Sequence, residues 1–446
     1  MSLNPDTLVR ALARMAGGAS LPVSNLTRLS GGANMESWSF DWGGAGYVLR
    51  RAPSADMMAG RPFGHDVEAA LVRAARVGGV LAPEVVGDLA AEDDLGTGYV
   101  MRRIEAEVNP AKILGDPPAS LIADLAREMA RIHDIKPRAD IALPHMDTAA
   151  ALGDLKARFE AYGGDRPIIA LAIKWCEDNL PSPAEPRLVH GDLRMGNVMV
   201  APSGLAAVLD WELAHWGDPH EDLAYGCMTV WRFGHIDKPA FGCADLPSYF
   251  AAYEAESGHT VEVDRFRFWL VYRTLWWALG CIQMGDIWRT GVDRSLERAV
   301  IGRRTSENEL DLLLLLEEDA PEAERAAVTL DPPAPARRQG EPSSVELLEA
   351  LREWIDNDVK ARAEGRDKFM AAVAMNAIGM LIREQENPVV PHDKALADDL
   401  LTGRQTLATP GLLARLRKTA LIKLANDVPK YAALAAAHKA WTAPIE

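Results

Sequence analysis

Hydrophobic and polar positions divide most of the chain into a strand-like part and a helical part. Residues 20–105 hold short alternating runs that glycines interrupt, which predicts a small β-sheet. One segment in this part, HDVEAALVRAARVGG at 65–79, has apolar residues at helical spacing and a glycine stop. We therefore expect the sheet to carry one helix. Residues 119–318 have mostly helical spacing, so the pattern predicts an α+β protein.

The helical part is interrupted at 187–210 by two short apolar runs. The runs, Val198–Val200 and Ala206–Leu209, flank the sequence APSG, which is typical of a β-hairpin turn. The polar sequence HGDLRMGN lies directly before this hairpin. A predicted hairpin inside a helical region therefore follows a group of polar residues.

The C-terminal part of the chain reads as a linker followed by further helices. Residues 321–342 are rich in proline, alanine and charge and lack a strong apolar period, as linkers do. Ser343 and Glu346 then form a capping-box pattern, and helical spacing recurs at about 366–386 and 411–427. The predicted parts are 1–105, with the sheet; 106–320, mostly helical; the linker 321–342; and an all-helical domain, 343–446.

Composition narrows the class of protein. The chain has 446 residues, 48% of them hydrophobic and 25% charged, which is typical of globular domains. A net charge of -16 argues against an extended nucleic-acid or anionic-membrane surface, so any bound phosphate must be held by a few placed groups. No run approaches the ~18 apolar residues of a membrane span. The four cysteines lack CxxC spacing, so we expect no zinc site or disulfide, and a cytoplasmic location.

Three polar residues bracket the predicted hairpin. Asp192 and Asn197 precede it, and Asp210 ends its second strand. An aspartate, an asparagine five positions later and a second aspartate after the next strand match the kinase pattern. In phosphoryl transfer the first aspartate orients or accepts the proton of the attacking hydroxyl, while the other two residues hold magnesium. We predict Asp192 as the catalytic base and Asn197 and Asp210 as metal ligands; for HGD alone, a polar turn is the alternative.

The segments LVHGDLRMGN, VLDWELAHWGDP and EDLAY resemble the aminoglycoside phosphotransferase family. This family is a branch of the protein-kinase-like fold, and the resemblance is strongest to its subgroup associated with acyl-CoA dehydrogenases. It covers about residues 20–318. The resemblance implies a bilobal fold with a small β-rich N-lobe and a helical C-lobe. It also implies ATP and Mg²⁺ as cofactors, with GTP left open, and a small-molecule hydroxyl as the acceptor.

The resemblance also assigns a nucleotide site to the N-lobe. Gly31 and Gly32 would close over the phosphates, where a backbone without Cβ can approach closely. Arg50 stands where the family has a lysine, and strand alternation places it on the face opposite Leu49. Glu68 is its expected partner, with an exposed helix carboxylate as the alternative. The residues expected to border the adenine are Met101, Arg102 and Ile104.

Three residues near the catalytic motif are expected to support it rather than react. His190 would hydrogen-bond near the loop. Asp218 and Asp222 would cap and anchor the helix that supports the metal loop, because aspartate is favourable near a helix start.

An aromatic segment of the helical part is a candidate acceptor site. Trp269, Tyr272, Arg273 and Trp276 recur at helical spacing, which by itself is also typical of a buried core. In the resembling family this part of the chain lines the acceptor site. Arginine there is unexpected in a pocket for a polycation, so the pattern favours an acyl or anionic acceptor such as a hydroxyacyl-CoA.

Two other functions stay open at this point. One is antibiotic phosphorylation, and the other is a nucleotide-binding pseudokinase or scaffold, which Arg50 in place of lysine favours. The C-terminal helices resemble a domain of unknown function that accompanies such phosphotransferases. A protein partner or a dimer contact through this domain is a further expectation.

Overall fold

Two compact units make up the structure, a computed structural model that describes residues 3–19, 21–29, 35–58, 60–326, 344–387 and 392–442. The first unit comprises Met1–Asp147, Pro183–Cys227 and Trp231–Phe266. The second comprises Thr148–Ser182, Met228–Val230 and Arg267–Glu446. Gly31, Gly32, Ser343 and most of the predicted linker lie outside the described residues.

The strands of the described residues all belong to the first unit. In chain order they are β1 (Val23–Arg28), β2 (Glu36–Trp42), β3 (Ala45–Ala52), β4 (Val85–Asp88), β5 (Thr97–Arg102), β6 (Arg187–Val189), β7 (Val198–Ala201), β8 (Gly204–Val208) and β9 (His215–Gly217).

The helices belong to both units. In chain order they are α1 (Pro5–Met15), α2 (His65–Val77), α3 (Pro110–Gly115), α4 (Leu121–His133), α5 (Thr148–Ala161), α6 (Pro167–Asp178), α7 (His220–Tyr225), α8 (Leu246–Ser257), α9 (Val263–Arg289), α10 (Leu296–Arg303), α11 (Thr305–Leu316), α12 (Glu322–Arg325), α13 (Ser344–Trp354), α14 (Gly365–Glu386), α15 (Lys394–Leu401), α16 (Leu412–Asp427) and α17 (Ala432–Thr442).

An antiparallel sheet in the order β1-β2-β3-β5-β4 forms the N-terminal part of the first unit. The helix α1 packs on one face, where Leu8 and Leu12 join Phe40 and Leu49 in a core. The side-chain period of two places Arg50 on the opposite face. Arg50 pairs in register with Tyr99 of β5, and the predicted helix is present as α2. The predicted small sheet with one helix is confirmed.

The predicted hairpin is confirmed and joins two polar loops. β7 and β8 are antiparallel, with Ala201 opposite Gly204 at the turn. β6 pairs with β9 in the same manner. The connections from β6 to β7 and from β8 to β9 are residues 190–197 and 209–214, which we call the catalytic loop and the metal loop. A backbone hydrogen bond of 2.8 Å from the Leu209 amide to the Asn197 carbonyl joins these loops.

The second unit, as far as its residues are described, contains helices and no strands. Its C-terminal helices α15 and α16 pack on α6 and α11, with Leu313, Leu400 and Leu421 among the buried apolar residues. The helices predicted at 366–386 and 411–427 are present as α14 and α16. The division into domains at 320 and 343 stays a prediction. Among the described residues, no helix combines the length and the apolar character that a membrane crossing needs.

Burial of His65 at the start of α2 makes the stability of the first unit depend on pH. Burial and the charges of Arg50 and Arg61 lower the pKa of His65 to about 4, from an ordinary value of 6.5. Between pH 6.5 and pH 4, His65 is therefore protonated in the unfolded chain but neutral in the folded chain. Stability is full above pH 6.5 and is lost towards pH 4.

We predict that His65→Gln flattens the pH dependence of stability. The wild type should lose about 3 kcal/mol more than the variant between pH 7 and pH 4. Urea unfolding of both proteins across this range measures the difference, because the carboxylates that both share cancel. Parallel stability curves for the two proteins would contradict the assignment.

Candidate active site

The catalytic loop is held against the metal loop by a glycine. Gly191 has a φ of +79°, and a Cβ at this position would lie 2.5 Å from the Leu213 carbonyl oxygen. Both facts exclude a side chain here, because L-residues disfavour this backbone region and the carbonyl oxygen leaves no room. The glycine of HGD therefore allows the two loops to meet.

Asp192 is a buried carboxylate whose two oxygens are both positioned. Oδ2 accepts a 2.7 Å hydrogen bond from Asn197 Nδ2, and Oδ1 accepts a 3.0 Å bond from Arg194 Nε. Asn197 Nδ2 also donates to the main-chain oxygen of Asp192 at 2.9 Å. The amide nitrogen of Asn197 thus faces Asp192, and its Oδ1 is the atom left to bind a cation.

His190 connects the two loops. Its Nδ1 accepts from the Asp192 amide at 3.2 Å, so its Nε2 carries the proton that is donated to the Leu209 carbonyl at 3.1 Å. Leu209 is the residue before Asp210. A neutral His190 therefore links the backbone of the predicted base to the backbone of the predicted metal ligand, as a supporting residue would.

Asp222 and Asp218 anchor these loops from α7. The fully buried Asp222 accepts from the main-chain amides of His190 at 2.7 Å and Gly191 at 2.9 Å. Burial alone would raise the pKa of this carboxyl, but the hydrogen bonds from His133 and His190 outweigh it and lower the pKa. Asp218 accepts from the amide of His220 at 3.0 Å, at the first turn of α7. Asp222 thus holds the catalytic loop directly, a contact that its expected helix-capping role does not include.

Asp210 occupies a strained backbone position at the end of β8. Its φ is 66°, in the left-handed region, which aspartate tolerates better than most residues. The side chain is 30% exposed, and Oδ1 lies 2.7 Å from Nη2 of Arg50. Strain of this kind collects at functional sites because the surrounding structure fixes one conformation.

Arg50 is the centre of a cluster of three carboxylates. Its guanidinium lies 3.1 Å from Glu68, 2.7 Å from Asp210 and 2.6 Å from Glu212. Burial raises the pKa of the Glu68 carboxyl, and the Arg50 charge opposes that rise. The same carboxylates outweigh burial at Arg50 and raise the pKa of its guanidinium. Tyr99 donates a 3.0 Å hydrogen bond to Glu68, so the pair is fixed on both sides.

Three residues of the site were not predicted from the sequence. Glu212 lies two positions after Asp210 and also binds Arg61 at 2.7 Å. Arg194 holds Asp192 and stacks 4.4 Å from the ring centre of Trp231. Glu212 and Arg194 could have been found in the sequence, because each lies two positions after a motif aspartate, in DWE and in DLR. Arg61 lies near no motif, so no local pattern indicates it.

Two main-chain amides of the expected adenine-binding segment already donate hydrogen bonds within the N-terminal part. The amide of Arg102 donates to the Glu84 carbonyl at 2.8 Å, and that of Arg103 donates to the Gly46 carbonyl at 3.0 Å. Met101 pairs with Val48 inside the sheet. The amide of Ile104 is therefore the better candidate donor to a nucleotide base, which narrows the prediction made for Met101, Arg102 and Ile104.

The aromatic residues predicted for the acceptor lie in the second unit and are largely buried. Trp269 is fully buried and Tyr272 is 2% exposed. Arg273 is also buried and stacks 4.2 Å from the ring centre of Trp276. Packing explains Trp269 and Tyr272 better than ligand contact does, and an acceptor role for these residues stays a prediction.

The residues present suit magnesium better than a transition metal. Among the described residues, no group of three or more His, Cys, Asp or Glu side chains could hold a metal ion. Mg²⁺ needs no such cage, because it uses one or two protein oxygens together with phosphates and water. Asn197 Oδ1 and the partly exposed Asp210 are oxygen donors of this type, so they fit the ion.

The sheet with one helix, the catalytic loop and the helical remainder define a kinase-like phosphotransferase fold. The chain belongs to the APH family, the phosphotransferase enzyme family, whose model matches residues 25–266. The fold is shared with a Ralstonia eutropha JMP134 protein provisionally named an aminoglycoside phosphotransferase. The TM-score is 0.56 at 20% identity, covering 70% of this chain and 98% of that one.

Two curated relatives carry a different name. Mouse (Mus musculus) acyl-CoA dehydrogenase family member 10 is 25% identical over 303 residues, which cover 61% of this chain and 27% of that protein. Chicken (Gallus gallus) acyl-CoA dehydrogenase family member 11 is 28% identical over 247 residues, covering 49% and 31%. The chain thus matches less than a third of the length of these relatives.

We predict that Gly191→Ala destabilises the first unit and that a matched glycine variant separates the two causes. Gly234 has a φ of +98°, with open space where a Cβ would lie, so Gly234→Ala carries only the backbone strain. That strain costs about 1–3 kcal/mol. Gly191→Ala should cost more, because it adds the contact with the Leu213 carbonyl. Equal losses in the free energy of unfolding for the two variants would show that the loops do not meet closely.

Proposed function

We propose that the protein is an ATP- and Mg²⁺-dependent kinase that phosphorylates a hydroxyl group of a small molecule. The observation that carries this proposal is the arrangement around Asp192: a buried carboxylate held by Asn197 and Arg194, on a loop bonded to the loop of Asp210. Membership of the phosphotransferase family supports the reaction class.

Asp192 is the group that orients the acceptor hydroxyl and receives its proton. Hydrogen bonds from Asn197 and Arg194 fix both oxygens, so the carboxylate meets the acceptor in one orientation. Such positioning supplies much of the catalysis in phosphoryl transfer, since little covalent chemistry falls to the protein. Arg194 adds a fixed positive charge beside the reacting groups.

Arg50 holds the phosphates, and Glu68 holds Arg50. The planar guanidinium can bind two phosphate oxygens through a fixed pair of N–H groups, a geometry that the ammonium of lysine lacks. Because the Glu68 carboxylate is buried and also accepts from Tyr99, it keeps Arg50 in place when a nucleotide takes over the other contacts. ATP is the proposed nucleotide, and GTP is the alternative to be measured beside it.

Asn197 and Asp210 are the proposed ligands of Mg²⁺. When bound, the ion neutralises the charge on the phosphates. Arg50 balances the Asp210 and Glu212 carboxylates in the structure as it stands, so these groups do not repel one another before the ion arrives.

A hydroxyacyl-CoA or a related acyl compound is the proposed acceptor. Its support is the name of the curated relatives, which are acyl-CoA dehydrogenase family members, and the match covers less than a third of their length. Arg267 is paired with Asp319 at 3.0 Å, and Arg273 is buried against Trp276. These arginines therefore add no support, and the names of the relatives carry this part of the proposal.

A nucleotide-binding scaffold is the second candidate, and one observation favours it. The direct ion pair between Arg50 and Asp210 occupies the carboxylate that catalysis needs. A scaffold would keep this pair in the presence of nucleotide, whereas a kinase must release it.

We predict that substitutions in the two loops stop phosphoryl transfer without unfolding the protein. Asp192→Asn should lower kcat by about 10²- to 10⁴-fold, since it removes the proton acceptor, and Asp210→Ala should abolish turnover. The exposed Asp237→Asn is the matched control and should leave activity unchanged. Consumption of ATP or GTP is measured against hydroxyacyl-CoAs, aminoglycosides and amino alcohols.

The panel also decides between the candidates. If only an aminoglycoside is phosphorylated, the acceptor is an antibiotic and the proposal of an acyl acceptor is wrong. Nucleotide binding without turnover of any acceptor would favour the scaffold, and full activity in Asp210→Ala would reject the assignment of that residue.

A further inference from the structure

A polar cavity separate from the candidate active site lies in the first unit. It is lined by the ends of α4 and α8 and by the start of β6. Its volume is about 320 Å³, at the low end of the ~300–1,000 Å³ range of small-molecule sites. Three arginines and two histidines line it, namely Arg127, Arg131, Arg187, His133 and His259. Asp134 and Glu256 are the carboxylates in the lining. Three arginines against two carboxylates make this cavity a basic one in an acidic protein.

Arg187 and His259 form the part of the described lining where a positive charge has no carboxylate partner. Nη2 of Arg187 lies 2.8 Å from Nε2 of His259. Because a guanidinium can only donate, the imidazole accepts and is neutral in this contact. Within the described part of the chain, no carboxylate forms an ion pair with Arg187 at 4.0 Å or less. The cavity therefore presents a cation whose present partner carries no charge.

The other two arginines of the lining are already paired with carboxylates. Arg131 is paired with Glu128 at 2.6 Å and donates to the Gly79 carbonyl at 2.9 Å. Arg127 is paired with Asp124 and lies 3.6 Å from Glu256. An anion would thus be bound chiefly by Arg187, with the imidazole of His259 beside it.

A chain of hydrogen bonds leads from this cavity to the catalytic loop. Tyr253 in the lining is hydrogen-bonded to Nδ1 of the buried His133 at 2.8 Å. Nε2 of His133 lies 3.3 Å from Oδ2 of Asp222. That same oxygen accepts from the His190 amide, and its neighbour accepts from the Gly191 amide. Arg187 itself lies on β6, three residues before His190, so the cavity reaches the loop by two routes.

We propose that this cavity is a regulatory site for a phosphate group, either free phosphate or a phosphomonoester on a small molecule. Arg187 binds the oxygens, because a guanidinium matches the geometry and charge of phosphate, and the neutral imidazole of His259 can donate one further hydrogen bond from Nδ1. Occupation fixes Arg187 and Tyr253 and so stabilises the catalytic loop through His133 and Asp222. The inference does not depend on the proposed kinase activity, since it concerns binding and loop stability alone.

Calorimetric titration with inorganic phosphate, glycerol 3-phosphate and glycerol tests the binding. The two phosphates should bind the wild type and glycerol should not, and tighter binding of glycerol 3-phosphate would identify the phosphomonoester as the preferred form. Arg187→Gln should weaken binding at least about tenfold, and Arg187→Lys should weaken it less. Arg138→Gln is the matched control: it removes an exposed cation outside the lining and should leave this affinity unchanged.

Hydrogen exchange at the amides of His190 and Gly191 tests the coupling. Exchange should slow when glycerol 3-phosphate saturates the wild type and should not change in Arg187→Gln. The proposal is overturned if neither phosphate binds, or if Arg187→Gln binds them as tightly as the wild type and Arg138→Gln do. Binding without a change in exchange at these amides would overturn the regulatory part.

Discussion

A single guanidinium, that of Arg50, determines how the candidate active site is held together. Arg50 comes from a strand of the N-terminal sheet, Glu68 from the helix beside it, and Asp210 and Glu212 from a loop some 160 positions further along the chain. Three carboxylates this close would repel one another without a cation between them. The two parts of the site are therefore joined by charge, and this joint must change when phosphates and a metal enter.

The backbones of the two loops are fixed by buried groups outside the Arg50 cluster, namely a neutral histidine and a carboxylate of α7. His190 bonds the backbone of Asp192 to that of Leu209, and Asp222 holds two amides of the same loop. Gly191 permits the close approach. This division suits a phosphotransferase, since the scaffold of the reacting groups stays rigid while the charged residues exchange partners.

Much of the fold followed from local patterns, and so did part of the candidate site. Alternation along β3 placed Arg50 and Leu49 on opposite faces, and helical spacing predicted α2, whereas the pairing of Glu68 with Arg50 came from the family resemblance. The turn in APSG likewise predicted the hairpin that follows Asp192 and Asn197. These features depend on neighbours in sequence, where periodicity and turn chemistry apply.

Contacts between distant segments were not predictable in this way. Nothing near Arg50 in the sequence indicates Glu212, and a capping role for Asp222 predicts contacts within its own helix rather than with the catalytic loop. No pattern in the sequence indicates that the buried His133 lies between Tyr253 and Asp222. For the aromatic residues of α9, helical spacing alone did not separate a core stripe from a ligand-binding face, so their acceptor role stays a prediction.

A crystal structure with Mg²⁺ and a non-hydrolysable ATP analogue tests the central claim most directly. The distance to measure is that between Nη2 of Arg50 and Oδ1 of Asp210, now 2.7 Å. If Arg50 holds the carboxylates in readiness for phosphoryl transfer, this distance should open beyond about 4 Å while the ion pair with Glu68 remains. An unchanged contact between Arg50 and Asp210 with the nucleotide bound would contradict the account.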